Sequence, residues 1–128
     1  MLTAQRDEIL IPISATGSDA TATLEVFEWV FQRGFTLVGI SAHCDSDNPP
    51  TGSAAQIDVN IAGTSLLSTK ITIDAGEFHS DTAATAPVLT TSPTVVAAGD
   101  LWTADIDQIG STNAGQGYAI VLDVIRSL

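Results

Sequence analysis

Apolar and polar residues alternate strictly over residues 56–61 (Gln-Ile-Asp-Val-Asn-Ile) and again over 102–107 (Trp-Thr-Ala-Asp-Ile-Asp). Side chains on a strand point to opposite faces with period two. Ile57, Val59 and Ile61 therefore share one face, as do Trp102, Ala104 and Ile106, while Asp58, Asn60, Asp105 and Asp107 are expected to meet water. Both segments read as half-buried strands of an antiparallel all-β protein.

The rest of the chain fits that class. Residues 8–13 (Glu-Ile-Leu-Ile-Pro-Ile) are apolar and extended, but Pro12 has no N–H to give a ladder, which makes them an edge strand or a strap across the body. We divide the chain into an N-terminal arm or edge strand, 1–13, and a β-sandwich domain, 14–128. From Thr21 to Phe31 the pattern is a long strand whose alternation breaks near Phe27-Glu28, where a β-bulge would restore the core face. An amphipathic helix over 19–33 competes, because Leu24, Phe27 and Phe31 are three and four apart; the Thr and Val content favours the strand. Residues 35–44 form a further strand, and 45–53, with two prolines, a surface loop. The tight connection at Ala62-Gly63-Thr64-Ser65 and the apolar pairs that follow it read as a hairpin-rich meander. Residues 81–94 are Ala- and Thr-rich and broken by Pro87 and Pro93, a long crossing with at most a short strand at Val88-Leu89. The glycine-rich loop 110–117 leads into a final strand, 118–125, on which Ile120, Leu122 and Val124 share a face. Seven or eight such strands, joined by crossings as well as hairpins, suit a single-domain jelly-roll or Greek-key sandwich.

Length and charge narrow the function. With 128 residues, one core can form without metal or disulfide staples. The longest near-apolar stretches fall short of a membrane-spanning helix, and the N-terminus lacks the basic and apolar regions of a secretory signal, so synthesis in the cytoplasm is expected. Cys44 has no disulfide partner and reads as a small buried hydrophobe. Fifteen acidic residues face only Arg6, Arg33, Lys70 and Arg126, a net charge of −11. Four scattered cations cannot make the basic stripe that phosphate binding requires, so neither nucleic acid nor an anionic membrane is an expected partner. Self-association would have to come from an apolar or hydrogen-bonded surface rather than from charge.

Candidate chemistry is sparse. His43, Cys44, Asp45 and Asp47 match no zinc spacing. Asp45-Ser46-Asp47-Asn48 resembles the start of a calcium loop but lacks the glycine at its sixth position and the glutamate at its twelfth. His79 stands between Phe78 and Ser80 without a nucleophile that the sequence can pair with it. Asp105 and Asp107 lie two apart, as glycosidase carboxylates might, yet a solvated strand face explains them equally well. The expectation is a non-enzyme with no catalytic, cofactor-binding or metal-binding residues.

The stretch Asp58-Val59-Asn60-Ile61-Ala62-Gly63-Thr64 through Asp74-Ala75-Gly76-Glu77 resembles a β-module of tailed-bacteriophage structural proteins, and the run from Ala98-Gly99-Asp100 to Gly117-Tyr118 resembles its second half. Together they cover residues 52–124. The resemblance implies a virion protein. As a single module without a stalk, the chain is expected to be a capsid decoration, or cement, protein. Such a protein sits on the outer surface of the shell, stabilises it as a homotrimer and has the major capsid protein as its partner. The alternative is a head-fibre, neck or tail-associated module that recognises a host surface glycan or another virion protein. By the same analogy Leu2, Ile9, Leu10, Ile11 and Ile13 of the arm are the expected interface. The competing reading is that Ile9, Ile11 and Ile13 complete the domain's own sheet.

Overall fold

The computed structural model describes residues 4–127. Eleven strands run in chain order: β1 (Ala4–Pro12), β2 (Thr23–Val30), β3 (Phe35–His43), β4 (Ala55–Ile61), β5 (Thr64–Ser65), β6 (Leu67–Thr69), β7 (Ile71–Ile73), β8 (Val88–Leu89), β9 (Thr94–Val96), β10 (Leu101–Gln108) and β11 (Ala119–Ser127). One sheet has the order β1-β11-β3-β9. The other has β2-β10-β4, with β5 and β7 both pairing β4, and all these pairings are antiparallel. The principal strands alternate between the sheets as the chain proceeds, which is the jelly-roll arrangement. The short β6 and β8 pair beside the sandwich, placing a strand at Val88-Leu89 within the long crossing. No helix among the described residues is long and apolar enough to cross a membrane.

Alternation builds the core as the pattern dictates. Ile57 and Val59 of β4 face inward with Trp102, Ala104 and Ile106 of β10, and all are essentially inaccessible. Ile120, Leu122 and Val124 of β11 come from the other sheet, with Leu37 of β3. Each large aliphatic side chain removed from water in this way contributes roughly 1.5–3 kcal/mol. Four aromatic residues gather at one part of the core, where Trp102 meets Trp29, Phe31 and Phe35 with ring centroids 5.7, 5.1 and 6.1 Å away.

At one end of the sandwich the glycine-rich loop 110–117 is tied by main-chain hydrogen bonds to two other loops. Gly117 N–H donates to Ala15 O, Ala20 N–H to Gly115 O, Asp45 N–H to Gln116 O and Thr51 N–H to Asn113 O. Glycine is required here by space as well as by torsion. A Cβ on Gly110 would fall on the Asn113 carbonyl, and Gly115, at φ +92°, lies against the Tyr118 hydroxyl. That hydroxyl, buried with its ring, donates to Ala114 O at 2.8 Å.

The arm is not free. β1 pairs β11 along its whole length, from Ala4 opposite Ser127 to Pro12 opposite Ala119. The strand begins before the apolar run, in the polar stretch Gln5-Arg6-Asp7, where Arg6 forms a two-pronged pair with Asp123 at 3.1 and 2.6 Å. Pro12 ends the ladder. The segment 23–30 is a strand, and the competing helix does not form. Its bulge lies earlier than the alternation suggests: the register with β10 shifts between Ala104 and Ile106, opposite residues 24–26, and Glu25 takes φ +52°.

Candidate functional site

Of the five expected interface residues, Leu2 lies outside the described residues. Ile9 and Ile11 sit opposite Leu122 and Ile120 of β11. Ile11 and Ile13 are buried in the core, and Ile9 packs partly buried against it. The apolar run of the arm thus completes the domain's own sheet, and Ile11 and Ile13 are unavailable to a partner. Leu10 points to the opposite face and is 58% exposed.

More exposed apolar side chains stand on and beside β2. Among the described residues β2 is an edge strand, paired to β10 on one side only. Trp29 stands opposite Trp102 and Phe27 opposite Ala104, so both belong to the inward face, yet at the margin of the sheet Phe27 is left well exposed. The Phe27 and Trp29 rings are 5.7 Å apart, continuing the interior aromatic row to the surface. On the outward face Val30 stands opposite Leu101, and both are exposed. Leu24, displaced by the bulge, is 71% exposed. Single exposed apolar residues are ordinary; here a group of four stands on one edge strand and its neighbour, Phe27 at the inward margin of the edge and Val30 and Leu101 on its outward face, with Leu24 at the bulge. Sequence reasoning missed it. The available signal was the surplus of apolar residues over what one strand face can bury, which read there as a bulge or a helix.

The polar face of the same sheet forms a network rather than a solvated surface. Asp58 of β4 lies directly opposite Asp105 of β10, and carboxylate oxygens of Asp58, Asp105 and Asp107 lie within 4.8 Å of one another. Lys70 Nζ reaches Asp107 at 2.8 Å, and this hydrogen bond raises the lysine's pKa, with a further contribution from the charges of Asp107, Asp58 and Asp105. Asp58 accepts a bond from the Ser65 hydroxyl at 2.6 Å. Asp105, expected to meet water, is only 9% exposed. Its Oδ1 accepts the Glu25 N–H at 2.8 Å and its Oδ2 the Asn60 amide at 3.0 Å. This carboxylate holds the bulge: it satisfies a main-chain donor that the irregular register takes away from the ladder. Three carboxylates could offer oxygen ligands to a hard cation, but Asp105 and Asp58 are committed to hydrogen bonds and Lys70 brings positive charge to Asp107.

The other candidates are dispersed. Cys44 is buried, and its thiol is pushed up to about 11 by burial and then by the charge of Asp45. That makes it a poor nucleophile at neutral pH. His43 continues β3 opposite Ala119 and bridges to His79. The His79 ring packs edge-on against Phe78 at 4.8 Å. Asp45 closes a turn, accepting Asn48 N–H through its main-chain carbonyl. The only acidic, His or Cys side chains that converge as a set of three among the described residues are Asp58, Asp105 and Asp107. Comparison with protein-family models, with curated proteins and with solved structures finds no match.

Proposed function

We propose that this chain is a virion structural protein of a tailed phage. In this reading it is a decoration protein that binds the outer surface of the capsid as a homotrimer and stabilises the shell. The observation that carries an assembly role is the exposed apolar group on the β2 edge, Leu24, Phe27 and Val30 with Leu101 beside them. On a body with a net charge of −11, exposed apolar side chains of this kind suit contact with a partner of different charge, such as a shell subunit. The virion setting is supported by the resemblance of residues 52–124 to a tailed-phage β-module. A jelly roll is compatible with that setting, since the fold recurs in capsid domains, although fold alone assigns no function. A sandwich stapled at one end by three interlocked loops is a stiff body suited to carrying load between neighbouring shell subunits, and closed cyclic symmetry would give each copy the same seat.

The test is the number of copies of this chain relative to the major capsid protein in purified particles, measured by quantitative mass spectrometry. A ratio of the same order as the shell subunit is expected. A handful of copies would move the protein to the neck, tail or fibres, and none would refute the virion reading.

A further inference from the structure

The charges around the β2 edge indicate what it binds. Glu25 and Glu28 lie on the strand itself and Asp100 beside Leu101, so the apolar group is bordered by carboxylates. Three of the chain's four cations are engaged within the molecule: Arg6 with Asp123, Lys70 with Asp107, and Arg126 with Asp7. Among the described residues only Arg33 stands outside such a pair, so a second copy offers this edge little unpaired positive charge. Pairing β2 with its own copy would bring Glu25 and Glu28 of both copies onto one short edge, where like charges repel, and would join two bodies each carrying a charge of −11. The main chain of Phe27–Val30 is regular beyond the bulge, and its outer side has no strand neighbour among the described residues. On the inward side Phe27 is half covered, and the buried Trp29 Nε1–H has no acceptor among the described residues.

We propose that the free edge of β2 over residues 27–30 captures an extended segment of another protein in which apolar residues alternate with Lys or Arg. The segment adds a strand to the sheet. Its apolar side chains cover Phe27 and Trp29 on one face, and its cations meet Glu28 and Glu25. This deepens the reading of the β2 edge as an assembly surface and does not depend on where in a particle, or whether in one, the protein acts. The copy-number measurement and the binding test below can therefore fail separately.

The probe is a peptide of about ten residues alternating lysine and valine, the length of an ordinary added strand, titrated into the full chain and followed by tryptophan emission and backbone amide shifts. We expect shifts concentrated in residues 24–30 and on β10, and affinity that falls with added salt. Glu28→Lys should weaken binding by about tenfold or more, and Phe27→Ser should also reduce it. Asp81→Lys makes the same charge change on the exposed turn after Ser80 and should leave affinity within about twofold, because a remote surface charge is largely screened. An equal loss in Glu28→Lys and Asp81→Lys would reduce the effect to net charge and overturn the proposal. So would shifts centred on β1 or β9, an equal affinity for a control peptide of the same length alternating glutamate and valine, or no binding. Sedimentation showing that the free chain self-associates through β2, in a manner lost in Phe27→Ser, would also overturn it.

Discussion

The turn between β4 and β5 offers a test of the backbone reasoning free of packing effects. Asn60 and Ile61 pair with Ser65 and Thr64, leaving Ala62 and Gly63 as a two-residue hairpin loop. Their φ angles are +50° and +82°, as a type I′ turn demands at both central positions. Alanine in the left-handed region costs about 1–2 kcal/mol relative to a right-handed conformation, whereas asparagine tolerates it through local hydrogen bonding. Ala62→Asn should therefore stabilise the protein by about 0.5–1 kcal/mol, raising the melting temperature by roughly 2–4 °C for a domain of this size. Ala62→Gly relieves the same strain but enlarges the freedom of the unfolded chain, and the two effects should nearly cancel. Gly63→Ala completes the set. A Cβ there would meet nothing within 4 Å, so its whole effect is torsional, a loss of about 1 kcal/mol. Urea and thermal unfolding of the three variants, compared at constant denaturant slope, give the measurement. A neutral Gly63→Ala or a destabilising Ala62→Asn would refute the argument.

Three further outcomes follow from the polar groups. Asp105→Ala removes the acceptor for Glu25 N–H and the Asn60 amide. It should cost about 2–4 kcal/mol in urea unfolding once relief of repulsion from Asp58 is set against the two lost charge-assisted bonds. Cys44 should resist thiol reagents in the native protein and react on unfolding. With its folded pKa raised to about 11, its contribution to stability is intact below the ordinary thiol range and lost as pH climbs towards that value, a loss that Cys44→Ala should abolish. The Arg6 guanidinium, through its hydrogen bonds, holds the Asp123 carboxyl below its usual value. Its contribution is present above the unfolded carboxylate range and disappears as pH falls through the folded value. Melting curves of Asp123→Asn and the parent chain should thus differ at neutral pH and converge in acid.

What the sequence reveals follows the range over which each feature is determined. The strands at 56–61 and 102–107, the final strand and the Val88-Leu89 strand in the crossing are written in local alternation and punctuation, and they stand where that pattern puts them. The bulge of β2 is displaced because its cause is not local: the Asp105 carboxylate that satisfies Glu25 N–H comes from 80 residues away. The burial of Asp105 has the same origin, since Glu25 and Asn60 meet over a strand face that alternation alone assigns to water. β1 begins earlier than its apolar run because Gln5, Arg6 and Asp7 are held by pairing with β11 rather than by their own hydrophobicity. The apolar edge of β2 was visible only as a surplus. Leu24, Phe27 and Val30 fit a core by pattern alone, and only the topology shows that, among the described residues, the strand has a neighbour on one side.

Ala4 and Ser127, at the outer end of the β1–β11 ladder, stand side by side. A nine-residue ladder at about 3.3 Å per residue sets them roughly 30 Å from the glycine-rich loop. Anything attached beside Ala4 and beside Ser127 would thus leave the β1–β11 ladder at one corner, and both attachments could be carried together while the interlocked loops at the far pole stay bare.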